Sequence, residues 1–208
     1  MKRAVVFDLW DTLVLWPAED GRGFYQRMAD HLAVPVARFT DAWNAAYDER
    51  ATGPIEPSVH TVCRRLGVAG DRVEGLISVR VDFTRQVLVP RPGAVEVLDE
   101  LRRRGLRLGL ISVCSEEVPR LWEETALASR IDAAVFSCSV GIKKPDPRIY
   151  GIAADRLGVK SEECLFVDDQ PPFVEGALEA GMDAVLIGSQ PWTGRRIDRL
   201  EDVLKALE

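Results

Sequence analysis

Five short apolar runs recur along the chain: AVVF at 4–7, LRLGLIS at 106–112, AAVFSC at 133–138, CLFV at 164–167 and AVLI at 184–187. Runs of this length without polar alternation belong to strands buried on both faces. Helical spacing fills the intervals between the later ones. In GAVEVLDELRRRG, Ala94, Val97, Leu98 and Leu101 share one face, three Arg occupy the last turn, and Gly105 stands where a helix stop belongs. YGIAADRLG and VEGALEAG repeat the pattern, each closed by Gly. Strands alternating with helices require crossover connections, so the fold class is α/β: a parallel sheet of about five strands with helices on both faces.

Residues 17–89 break that alternation. Phe39, Trp43, Ala46 and Tyr47 fall on one helical face, and Val73, Ile77 and Val81 on another. The stretch reads as an inserted helical subdomain of two or more antiparallel helix pairs, with TGPIEP at 52–57 as a break inside it. VPRPG at 89–93 returns the chain to the sheet, which leaves 1–16 and 90–208 as the α/β core. With 27 basic and 33 acidic residues the net charge is −6, which excludes a broad basic footprint for nucleic acid. Cys63, Cys114, Cys138 and Cys164 contain no C-x-x-C pair and read as reduced thiols. No apolar run is long enough to span a bilayer, so a cytoplasmic protein is expected, with no membrane partner.

In an open α/β sheet, ligands bind at the carboxyl ends of the strands. Asp8 follows the first run, Ser112 ends the second, and Asp168 with Asp169 ends the fourth, while Lys144 lies in the GIKKPDPRIY turn after the third. Three carboxylates and one ammonium at one sheet edge call for a hard cation with oxygen ligands, Mg²⁺ above all, which commonly takes carboxylates, waters and a phosphate oxygen. Such a site suits phosphoryl transfer. The metal and Lys144 would neutralise phosphate, Ser112 would donate to it, and Asp8 could attack phosphorus to form an aspartyl-phosphate.

In order, VVFDLWDTL, LGLISVCSEE, GIKKPDPRIY and CLFVDDQPPFVEGALEAGM resemble the four motifs of the haloacid dehalogenase superfamily of hydrolases, over essentially the whole chain. The resemblance is to the branch that includes phosphoglycolate phosphatase and β-phosphoglucomutase. It implies a Rossmann-like core with 17–89 as a small α-helical cap. It also implies that Asp8 is nucleophile and metal ligand, that the Trp10 carbonyl is a further ligand, and that Asp169, supported by Asp168, anchors Mg²⁺. Ser112 would bind phosphate, and Lys144, which immediately precedes Pro145, would hold nucleophile and phosphate together. The implied partner is a small phosphorylated metabolite, acted on by a monomer or homodimer.

The chain departs from that pattern at one chemically decisive position. Phosphatases of the superfamily carry a second Asp two residues after the nucleophile, which protonates the leaving group and then activates water. Here the residue is Trp10, whose indole has one N–H donor and no acid–base chemistry. Asp11 follows, where the family usually has Gly, and whether it substitutes depends on the local backbone. Val113 and Phe173 also stand where more polar residues are usual. The expected activity is therefore a weak or narrow Mg²⁺-dependent phosphatase. One alternative is a phospho-ligand-binding or regulatory protein without turnover. Another is a 2-haloacid dehalogenase, suggested by the aromatic at position 10 but not by the paired carboxylates of FVDDQ. Trp16 is a candidate for the substrate pocket, Ser115 reads as a helix N-cap, Lys143 as a solvated neighbour of Lys144, and His31 and His60 receive no catalytic role.

Overall fold

The computed structural model describes residues 1–207, and the side chains of all but 18–22. Its strands are β1 (Ala4–Phe7), β2 (Arg107–Ser112), β3 (Ala133–Phe136), β4 (Cys164–Asp168), β5 (Asp183–Ile187) and β6 (Arg196–Ile197). All pair in parallel, in the order β3-β2-β1-β4-β5-β6. The five expected strands are present within a residue or two. β6 was not expected, because two residues carry no readable periodicity.

The register explains the apolar runs. Val5 lies level with Leu108 and Leu165, and Phe7 with Leu110 and Val167, and all six join one apolar cluster. Ala4 and Val6, pleated to the opposite side, join a second. The first face is covered by α6 (Ala94–Arg103) through Ala94, Val97, Leu98 and Leu101, the face read from the sequence, and by α7 (Glu117–Leu121). The second is covered by α9 (Pro147–Leu157) and α10 (Pro171–Glu179) through Ile149, Tyr150, Ala153, Val174 and Ala177. Each such large side chain contributes on the order of 1.5–3 kcal/mol when taken out of water. Short α8 (Ser137–Val140) follows β3, and α11 (Val203–Ala206) closes the chain.

Between β1 and β2 run α1 (Ala18–Leu32), α2 (Val36–Ala45), α3 (Tyr47–Ala51), α4 (Ile55–Leu66) and α5 (Val73–Val87). Phe24, Phe39, Trp43, Val59, Leu76 and Phe83 meet in a third cluster among them. Three expectations change here. Tyr47 leaves the face of Phe39 and Trp43 and is exposed, because α2 stops at Ala45 and Ala46 (φ −104°, ψ 15°) resets the phase before α3. The break covers only 52–54, since Ile55, Glu56 and Pro57 open α4, where a missing Pro N–H costs no helical bond. On α5, Leu76 and Phe83 fill the cluster, whereas Val81 is half-buried against the sheet-side core.

Charged groups join these helices to the sheet. Arg80 Nε donates to Glu117 Oε1 at 2.7 Å and Arg85 Nε to Glu124 Oε2 at 3.0 Å. Glu116 accepts the Ile55 N–H at 3.0 Å, a carboxylate placed at the positive end of α4. Lys143 pairs with Asp48 and lies 5.1 Å from the Tyr47 ring, so it bridges to the insert and is not simply solvated.

Candidate active site

The sheet order reverses between β1 and β4, which is where an open α/β sheet forms its ligand crevice. Asp8 leaves β1 at that point, its N–H bonded to the Val167 carbonyl at 2.9 Å, and Asp168 is the last residue of β4. Lys144 arrives from the loop after α8. The next turn begins α9 cleanly, with Asp146 accepting the Arg148 N–H and Pro147 in the first helical position. Lys144 is 1% exposed. Its Nζ donates to Asp8 Oδ1 at 2.6 Å and to Asp168 Oδ2 at 2.5 Å, with the Phe173 ring 4.7 Å and the Phe166 ring 5.4 Å away. Asp168 Oδ1 accepts the Gln170 N–H at 2.8 Å, and Asp169 Oδ2 accepts Gln170 Nε2 at 2.5 Å. Four of the expected site residues are thus brought together.

One ammonium faces three carboxylates. Burial pushes Asp168 up to about 7, with Lys144 pulling it back and Asp8 pushing further. Burial and the neighbouring Asp8 raise Asp169 to about 6. Asp8 itself is held above the ordinary carboxylate range by burial, against the pull of Lys144. Burial disfavours the charged Lys144, yet Asp168 and Asp8 outweigh it and keep the amine protonated beyond its usual range. Asp8, Asp168 and Asp169 each offer an oxygen within 4.8 Å of the others. An all-oxygen, surplus-anion donor set of this kind fits a hard divalent cation.

Ser112 ends β2 fully buried, and among the described residues its hydroxyl makes no well-formed hydrogen bond, although the Cys114 thiol lies close enough to interact with it. Trp10 packs edge-on against Trp16, ring centroids 5.2 Å apart, with Trp16 in turn 5.8 Å from Phe83. Asp11 has φ +60°, in the left-handed region that Gly adopts without cost, and its Oδ1 accepts the Trp16 N–H at 2.9 Å. One oxygen of its carboxylate is therefore occupied as a turn acceptor. Ser115 does not cap α7: its hydroxyl donates to Glu117 Oε1 at 2.7 Å, and Glu116 holds the cap position without a side-chain bond.

A cavity of about 310 Å³ adjoins this centre. Trp10, Trp16, Val113, Cys114 and Ser115 line it from the core segments, and Trp43, Arg50 and Arg80 from the insert. It stops short of the chemistry: Asp8 is only 6% exposed and does not line it. Arg50, Arg80 and Glu117 are the residues a reading of the sequence misses. Each sits in an ordinary-looking charged helical stretch, and only the fold shows that Arg50 and Glu117 are buried.

A family model described as haloacid dehalogenase-like hydrolase matches residues 2–181. The chain is 36% identical over 202 residues to a glyceraldehyde 3-phosphate phosphatase of Methanopyrus kandleri, covering 90% of this chain and 84% of that one. It is 37% identical over 138 residues to a phosphatase of Mycobacterium tuberculosis, covering 65% of this chain and 62%, less than two thirds, of the relative. Among solved structures, a 2-haloacid dehalogenase from Pseudomonas syringae pv. tomato superposes with a TM-score of 0.79 at 25% identity, covering 100% of this chain and 98% of that one.

Proposed function

The chain belongs to the haloacid dehalogenase-like hydrolases, and we propose that it is a Mg²⁺-dependent phosphatase that hydrolyses a small phosphorylated metabolite through an aspartyl-phosphate at Asp8. The observation that carries this reading is Lys144, buried and bonded to both Asp8 and Asp168, together with a fully buried Ser112 hydroxyl at the end of β2 that makes no well-formed hydrogen bond among the described residues. Two relatives named as phosphatases support it.

In this reading Asp8, Asp168, Asp169 and the Trp10 carbonyl hold Mg²⁺, which when bound neutralises phosphate charge. Lys144 and Ser112 position the phosphoryl group, the Lys144 ammonium offsetting its negative charge. A carboxylate oxygen of Asp8 attacks phosphorus as the bond to the leaving oxygen breaks. Water then attacks the phosphorus of the aspartyl-phosphate, releasing inorganic phosphate and restoring Asp8. The departing alkoxide takes its proton from solvent, because Trp10 has none to give and Asp11 is bonded to Trp16 N–H. General acid–base help is worth about 10²–10⁴-fold, so turnover is slow and favours good leaving groups. Residues 17–89 act as a cap that opens to admit substrate, which the near-complete burial of Asp8 requires. We place the enzyme in the cytoplasm, where its four free cysteines stay reduced, as a monomer or homodimer.

A second reading, binding without hydrolysis, draws on the same occupied Asp11. Dehalogenation suits the aromatic at position 10 but leaves the Asp168–Asp169 pair without a task. The test is para-nitrophenyl phosphate and an alkyl phosphate, with and without Mg²⁺, on wild type, Asp8→Asn and Trp10→Asp. Mg²⁺-dependent release, lost in Asp8→Asn and raised in Trp10→Asp most strongly for the poorer alkyl leaving group, is expected. A silent wild type with an active Trp10→Asp favours the binding protein. Chelator-resistant halide release from a 2-haloacid would favour the dehalogenase.

A further inference from the structure

Arg50 lies on α3 and is 6% exposed, yet among the described residues no carboxylate pairs with it. Its guanidinium is 4.1 Å from the Trp43 ring and 5.3 Å from the Tyr47 ring, and Nη1 donates to the Trp43 carbonyl at 2.6 Å. The nearby Glu117 pairs with Arg80 instead, its Oε1 accepting from Arg80 and from Ser115, each at 2.7 Å, while among the described residues its buried Oε2 has no hydrogen-bond partner. Arg50 and Arg80 against Glu117 leave one positive charge over in a largely buried wall. Burial and the like charge of Arg80 lower the Arg50 pKa to about 10. A buried charge without a counter-ion is costly and is retained where something supplies one. With Nη1 taken, the Nε–Nη2 edge remains, and that edge is the two-donor fork which binds an oxyanion bidentately. Arg50 lines the same cavity as Trp10, two residues past Asp8, and Val113, one past Ser112.

We propose that Arg50 is a specificity-determining residue: the substrate carries, besides its phosphate ester, a second oxyanion, carboxylate or phosphate, that docks on the Arg50 fork. This rests on the phosphatase reading and narrows its substrate class. Trp10, Trp16 and Trp43 line the cavity with Arg50, and these aromatic walls favour an apolar carbon skeleton between the two anions.

The test compares two matched pairs with Mg²⁺ present: phospholactate against its primary amide, and propane-1,3-diol bisphosphate against the monophosphate. Wild type is expected to favour the member of one pair that carries two anionic groups by about 10–100-fold in kcat/KM, the scale of a charge-assisted hydrogen bond, and that pair identifies the oxyanion. Arg50→Gln should bring the ratio close to one, and Arg50→Lys, which keeps the charge without the fork, should hold it between. If Arg50→Gln fails to fold, Arg50→Lys carries the comparison. No discrimination by wild type in either pair, or discrimination unchanged in the variants, overturns the proposal while leaving the phosphatase intact. If wild type hydrolyses neither the four esters nor para-nitrophenyl phosphate, the phosphatase reading fails; if it hydrolyses para-nitrophenyl phosphate alone, that reading stands. Where none of the four is hydrolysed, quenching of tryptophan fluorescence by the same compounds decides Arg50 alone, tighter binding of the member with two anionic groups supporting it and equal binding overturning it.

Discussion

Trp10, Asp11 and Ser112 show how single residues set this site. The second carboxylate of a familiar pair is replaced by an indole that packs on Trp16, and the next residue bends the chain back at φ +60°. That angle explains why Gly is usual at position 11, and the Trp16 N–H bonded to Asp11 explains why Asp is tolerated. The sequence left Asp11 open as a substitute acid because nothing in WDT reveals a left-handed backbone. Ser112 is the opposite case, legible from its place at a strand end. A buried hydroxyl without a well-formed bond costs about 1–3 kcal/mol. Ser112→Ala should therefore leave the free protein as stable or stabilise it by about 1 kcal/mol, while raising KM for phosphate esters. Denaturant titration and steady-state kinetics measure the two, and a destabilised variant with unchanged KM would contradict the assignment.

Among the elements, α10 does more than cover the sheet. A Cβ at Gly176 would lie 2.7 Å from the Pro145 carbonyl oxygen and 3.0 Å from Tyr150 Oη, so the helix presses directly on the turn that delivers Lys144. Gly to Ala inside a helix ordinarily stabilises by about 0.5–1 kcal/mol. Here the added methyl meets backbone, and Gly176→Ala should instead destabilise by about 1–3 kcal/mol, with a loss of turnover as Lys144 is displaced. A midpoint of denaturation that rises would contradict this account of the turn. The strands and α6, α9 and α10 were legible because burial on both faces and the helical repeat leave clear patterns. The phase change at Tyr47 was not, since Ala46 looks like any other helix former and only its backbone angles break the repeat. Arg50 and Glu117 were hidden for a related reason: the sequence shows charge, and only packing shows that the charge is buried.

For the molecule as a whole, the surplus negative charge at the β1–β4 junction couples stability to pH and to cations. Asp168 and Asp169 rise from an ordinary 3.8 to about 7 and about 6, so the folded state binds protons more tightly than the unfolded one. Stability from these groups is fully present below about pH 4 and is lost as pH rises through about 6–7. A divalent cation held by the three carboxylates would replace the protons as counter-charge. Added Mg²⁺ should therefore raise the melting temperature more at about pH 8 than at about pH 5, and a pH-independent shift, or none, would argue against the carboxylate site. In the proposed phosphatase, the helices between β1 and β2, joined to the rest by Arg80–Glu117, Arg85–Glu124 and Lys143–Asp48, would decide what reaches Asp8. Its existence was readable in the sequence, but the cavity it makes with the sheet was not, because that depends on which side chains meet across two distant segments. The central claim is a covalent intermediate on Asp8, and borohydride trapping followed by peptide mass spectrometry tests it most directly. During turnover of a phosphate ester with Mg²⁺, reduction of the acyl-phosphate should convert Asp8, and no other carboxylate, to homoserine. Phosphate release with Asp8 unaltered, or reduction at a different residue, would contradict the account.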